Sequence, residues 1–78
     1  MRDQILAVLK EIRPDVDFIN EKLLVEDSVI DSFDIISIVN EFNNTFDVDI
    51  DVEDLEPENF NTIEAMQELI EAKQAKAQ

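Results

Sequence analysis

DSFDIISIVNEFNNTF, residues 31–46, decides how this chain folds. Ile35, Val39, Phe42 and Phe46 recur three or four residues apart and make one helical stripe, with Ile36 and Ile38 flanking it. Isoleucine-rich sequence also suits a strand, but polar and apolar residues do not alternate here and the length suits a helix. The spacing predicts a helix over 32–46. Asp31 is placed to cap it, its carboxylate accepting a bond from a free amide of the first turn. Asp34 then lies where negative charge meets the positive end of the helix dipole. Asn43 and Asn44 mark an end expected to fray. The chain contains no glycine, so Asn or Asp must take any left-handed backbone position.

Working outward, Ile5, Val8, Leu9 and Ile12 form a second stripe and predict a helix over 3–13, with Asp3 as a candidate cap and Pro14 as its stop. Residues 14–31 have no clean period. Phe18, Ile19, Leu23, Leu24, Val29 and Ile30 are scattered among acids, which reads as a long loop whose apolar residues tuck onto the core. Loops of that length in small domains usually serve function. Downstream, VDIDV alternates like a strand but has no partner strand, so an extended loop with Val48 and Ile50 turned inward is expected. Pro57 suits the first position of a short helix over 57–60. Ile63, Met66, Leu69 and Ile70 predict a last helix over 62–73. Asn61 with Glu64 resembles a capping box, although Thr62 competes for the cap, and the polar tail KQAKAQ is expected to fray. The expectation is one all-α domain over 1–78, a small bundle of three main helices plus one short one.

Charge narrows the partners. Twenty acids face six bases, for a formal net charge of −14. The bases are Arg2, Lys10, Arg13, Lys22, Lys73 and Lys76, so no positive charge lies between Leu23 and Ala72. Nucleic acids and anionic membranes, both polyanions, are poor ligands for such a surface. Partners with basic docking surfaces are favoured, through attraction that salt weakens. Without cysteine the chain has no disulfide and no thiolate nucleophile. No apolar run is long enough to span a membrane, and no signal-peptide core follows Met1. A cytoplasmic monomer without stable membrane insertion is expected.

Ser32 sits between Asp31 and the first helical turn, and serine is common at helix starts for capping alone. With Asp31 already in the capping role, its hydroxyl is left free to face solvent. Self-contained catalysis by Ser32 lacks a base: there is no histidine, and lysine is absent from the middle of the chain. No catalytic residue is therefore assigned. Asp47, Asp49, Asp51 and Glu58 stand at the ligand spacing of a calcium loop, but the sixth position is Val52 where the sharp turn needs glycine. Weak, nonspecific cation binding is expected there, and no metal site.

LLVEDSVIDSFDIISIVNEFNNTFDVDI, residues 23–50, resembles the central segment of acyl carrier proteins. Asp31 and Ser32 match that family's Asp-Ser pair, and Phe33 stands where a leucine or methionine is usual. Asp34, Ile36, Ile38, Val39, Phe42 and Phe46 match its second helix, and NTIEAMQELI resembles its last helix. The resemblance implies a non-catalytic carrier with 4'-phosphopantetheine attached covalently to Ser32 through a phosphodiester. It implies a phosphopantetheinyl transferase that reads Asp31, Phe33 and Asp34, and acyl or aminoacyl ligases or synthases as further partners. Cargo would travel as a thioester, in fatty acid biosynthesis or a related pathway. Ile36, Ile38 and Glu41 are candidates for partner or cargo contact, with core packing the other reading of the two isoleucines. Many relatives carry a glycine three or four residues before the serine, where this chain has Ser28 or Val29. The second helix is also less acidic than in fatty-acid carriers. The VIDSFD form is similar to carriers of aminoacyl groups, including D-alanyl carriers, or of specialised acyl groups. A freestanding carrier is expected, and the alternative is an acidic helical binding module or weak calcium binder without a prosthetic group.

Overall fold

Arginine 13 shows how the chain's local chemistry cuts it into elements. It precedes Pro14, whose ring disfavours helical backbone at the preceding residue, and it adopts φ −134° and ψ 80°. Its amide still bonds Leu9 O at 2.8 Å, closing the last turn of helix α1 (Arg2–Ile12). In this computed structural model, which describes residues 1–77, three more helices follow: α2 (Ser32–Phe46), α3 (Pro57–Phe60) and α4 (Ile63–Ala77). A 3-10 turn at Val52–Asp54 precedes α3. The protein is all-helical, and no strand forms among the described residues. Nor is any described helix long and apolar enough to cross a membrane.

Each helix buries the stripe its sequence carries. Ile5, Val8 and Leu9 of α1 meet Ile38, Val39 and Phe42 of α2 and Ile63, Met66 and Ile70 of α4 in one core. Helix α1 packs on both α2 and α4, and α3 packs on α4. Pro57 occupies the start of α3, where its missing amide hydrogen is not needed. Phe60 ends that helix fully buried. Two expectations about helix ends are corrected. Met1, with no side-chain bond, caps α1, and Asp3 lies in its first turn instead. Helix α4 runs on to Ala77, past the expected stop at Lys73; the end of the expected frayed tail, Gln78, lies outside the described residues.

The segment between α1 and α2 is irregular but anchored. Val16, Phe18, Leu24 and Ile30 are buried, whereas Ile19 and Leu23 are exposed, contrary to the expectation that all the loop's apolar residues tuck inward. The physical anchor is Asn61, at the junction of α3 and α4. Its Oδ1 accepts the amides of Val25 at 3.0 Å and Glu26 at 3.2 Å, and its Nδ2 donates to Glu26 Oε2 at 3.0 Å. Its backbone carbonyl takes the Leu24 amide at 3.2 Å. Asn61 therefore does not cap α4. Thr62 does, its hydroxyl accepting the Ala65 amide at 3.0 Å, and Glu64 turns out to pair with Arg2 at 2.7 Å.

Asn43 corrects a second reading. It is part of an unfrayed helix, and its Oδ1 accepts the Ile50 amide at 2.9 Å. That bond holds the extended stretch after α2, with Ile50 buried and Val48 partly so. The helix stops at Asp47, whose φ of 54° is left-handed and whose amide bonds Asn43 O.

Ser28 is the other residue with positive φ, at 59°, which corrects the expectation that only Asn or Asp would take a left-handed position. This chain, which has no glycine, bends here on serine, four residues before Ser32. A residue with a Cβ pays roughly 1 kcal/mol for this conformation. Ser28→Gly is expected to raise the unfolding free energy by about 0.5–1 kcal/mol, and Ser28→Val to lower it by more. Urea denaturation of the two variants checks this, and an unstabilised glycine variant would contradict it.

The start of helix α2 as candidate functional site

Asp31 is extended, at φ −106° and ψ −175°, and its side chain turns back over the helix it precedes. Its Oδ1 accepts the Asp34 amide at 2.9 Å, while Asp34 Oδ2 accepts the Asp31 amide at 3.2 Å. This reciprocal capping box satisfies two amides that a helix start would leave open. Asp31 caps as its position predicts; the return bond from Asp34 has no sequence signal, because the usual box carries Glu or Gln at that position.

Both carboxylates are thus occupied with backbone, and Ser32 between them is exposed at the first helical position. Phe33 follows with 81% of its surface open to solvent. One turn on, the two candidate contact isoleucines part company. Ile36 is 51% exposed and Ile38 is 0% exposed. Ile38 is therefore corrected to a core residue: two positions further along the helix turn its side chain by about 200° relative to Ile36, onto the α1 and α4 side. Glu41 is exposed on α2.

A groove of about 130 Å³ opens beside the serine, lined by Ser32, Ile35, Ile36 and Leu55. Leu55 arrives from the 3-10 turn, which Asp51 and Asp54 close with a second capping box. Lys73 of α4 grips Asp54 at 2.6 Å, and Asn59 Nδ2 donates to Asp54 O at 2.9 Å. Leu55 carried no sequence signal for this role, since nothing local ties it to residues twenty positions earlier. Asp51 is spent on this turn, and among the described residues no three acidic, His or Cys side chains converge as a metal site would need.

Arg13 also reaches the site. Its Nη1 donates to Asp34 Oδ2 at 2.6 Å, while Nε and Nη2 donate to Asp15 at 3.1 and 3.0 Å. Hydrogen bonds to Asp15 and then to Asp34 raise the Arg13 pKa further above its ordinary value, and Arg13 holds Asp15 below the ordinary carboxylate value.

Other carboxylates are shifted too, and their signs predict a pH profile. Asp17, Asp54 and Glu64 are lowered, chiefly by bonds to Asn20, Lys73 and Arg2 respectively. Groups with lowered folded values stabilise the fold above their unfolded value of about 4, and that stability is lost as the pH falls through the folded values. Glu56 is raised by its bond to, and repulsion from, Glu58. It has the opposite sign: protonation relieves repulsion as the pH falls from neutrality. The melting temperature is expected to hold or rise slightly as the pH falls from neutrality towards the carboxylate range, and to drop below about 4. Thermal melts across that range check it, and a steady decline from pH 7 downward would contradict it.

The site is thus an exposed serine at a helix start, beside an apolar groove, on an acidic helical bundle. Over residues 2–70 the chain matches the family described as the phosphopantetheine attachment site, and it belongs to that family. Domains of this kind are non-catalytic carriers with covalent 4'-phosphopantetheine, and they engage transferases and acyl-handling enzymes. No curated protein matches the chain.

Proposed function

We propose that Ser32 bears the 4'-phosphopantetheine arm and that the protein carries acyl or aminoacyl groups on it as thioesters. One observation carries this reading: Ser32 is exposed at the first position of α2, while its two neighbouring aspartates are turned onto the backbone. Among the three serines, Ser28 is held in a strained turn and Ser37 lies within α2 beyond the capped first turn. A helix start also tolerates a phosphate well, because its free amides and dipole favour anions. The attached arm supplies the thiol that the sequence lacks.

The transferase would take Ser32 as its substrate. The hydroxyl oxygen bonds the phosphorus that bears pantetheine, the pyrophosphate linkage of coenzyme A breaks, and adenosine 3',5'-bisphosphate leaves. The serine proton goes to a base of the transferase. Asp31 and Phe33 form the surface it reads, Asp34 holds the turn beneath them through its bonds to the Asp31 amide and Arg13 instead of facing out, and Glu41 offers negative charge to a basic partner.

The groove beside Ser32, about 130 Å³ and lined by Ile35, Ile36 and Leu55, offers an apolar bed for the first atoms of the arm or its cargo.

The test is the intact mass after incubation with coenzyme A and a broad-specificity phosphopantetheinyl transferase. One arm per chain is expected on the wild type and none on Ser32→Ala. An unmodified wild type, with the transferase active on another carrier, would overturn the reading and favour an acidic binding module.

A further inference from the structure

The end of α1 is tied to the start of α2 by one side chain. Arg13 reaches across twenty-one residues to Asp34, and the pair is part-buried, with side-chain exposures of 31% and 16%. The oxygen it grips is the one that already accepts the Asp31 amide: Asp34 Oδ2 takes Arg13 Nη1 at 2.6 Å and Asp31 N at 3.2 Å. The guanidinium is itself held from the other side by two bonds to Asp15. A planar fork fixed by one carboxylate can direct a second, which a flexible ammonium does less well. Asp34 is thereby kept facing the backbone and away from solvent. The other resolved ion pairs lie elsewhere, Arg2 with Glu64 and Lys73 with Asp54.

From this geometry we propose that Arg13 is a positioning residue for attachment of the arm to Ser32. The inference rests on the carrier reading above and adds a residue to it. Arg13 keeps the capping box closed, so the first turn of α2 is formed before the transferase arrives and the Ser32 hydroxyl points outward. It also offsets carboxylate charge beside the serine. As the Ser32 oxygen bonds phosphorus and the pyrophosphate linkage breaks, an anionic group settles between Asp31 and Asp34. A guanidinium bonded to Asp34 reduces the repulsion that this group meets.

The experiment measures initial rates of arm transfer from coenzyme A against carrier concentration, below the melting temperature of every variant. Arg13→Ala is expected to lower kcat about tenfold, less than the roughly hundredfold that misplacing a reacting group by about 1 Å can cost, because the capping box keeps its own two bonds. Its KM should stay the same or fall, because a more acidic carrier is attracted at least as strongly to a basic transferase. Arg13→Lys, with the charge but not the fork, should recover part of the rate. In the double variant with Asp34→Asn the rate should fall no further than in the worse single variant, since both changes break one path. Arg2→Ala removes the same charge from the other end of α1 and should leave kcat unchanged.

A kcat for Arg13→Ala within about twofold of wild type would overturn the proposal, as would an effect wholly in KM or an equal loss in Arg2→Ala. In each of those cases the wild type is still modified and the carrier reading stands. Failure to modify the wild type removes both.

Discussion

Asn61→Ala is expected to lower the unfolding free energy by about 3 kcal/mol, because it strips the acceptor from two part-buried amides and the donor from Glu26 at once. The side chain is one of the few polar groups in the core, and its three bonds all reach residues 25 and 26, thirty-six and thirty-five positions earlier. A chain of this size has roughly 4–12 kcal/mol of stability in total. The loss is therefore a large share of it, and urea denaturation will show it as a lower midpoint with little change in slope. Asn61→Asp keeps the acceptor and should do less damage to the amides, but it sets a carboxylate against Glu26. Adding Glu26→Gln to that variant is expected to restore stability. An alanine variant within about 0.5 kcal/mol of wild type would mean that water replaces the bonds and the loop does not depend on Asn61.

Phe42→Ala should cost about 3–5 kcal/mol, the range for emptying a buried phenylalanine site. Phe42 is fully buried in the C-terminal half of α2, and its ring meets Phe46 edge-on, with centroids 5.8 Å apart and planes at 67°. In so small a domain the walls cannot come from a second layer, so the cavity stays open and the fold is left near its threshold. Calorimetry or urea denaturation checks the prediction. Phe33→Ala is the contrast on the same helix: with its ring in solvent it should leave stability within about 0.5 kcal/mol of wild type. A comparable loss in Phe33→Ala would contradict the assignment of faces to α2.

Those two predictions also separate what the sequence could reveal from what it could not. Phe42 was legible because helical periodicity is local: positions 35, 39, 42 and 46 declare one face without reference to the rest of the chain. The same holds for the stripes of α1 and α4, for the stop at Pro14 and for Asp31 as cap. Asn61 was not legible in its real role. Its neighbours Thr62 and Glu64 give it the look of a helix cap, and its bonds to Val25 and Glu26 are set by tertiary packing that leaves no spacing signal. Asn43 was misread for the same reason. An asparagine near a helix end suggests fraying until the amide it binds, that of Ile50, is seen.

At the site, the motif residues Asp31, Ser32, Phe33 and Asp34 could be chosen from sequence because their roles depend on a single helical turn. Ile38 could not be separated from Ile36 that way. Both flank the stripe, and only the positions of α1 and α4 decide which flank is covered. Arg13 and Leu55 come to the serine from segments on either side of α2, with no local pattern to announce them.

The central claim is that the arm is attached at Ser32, which the fold displays. Fragmentation of the arm-bearing protein, mapping the modification among Ser28, Ser32 and Ser37, tests it most directly. The arm is expected on Ser32 alone. An arm found on Ser28 or Ser37, or retained by Ser32→Ala, would contradict it.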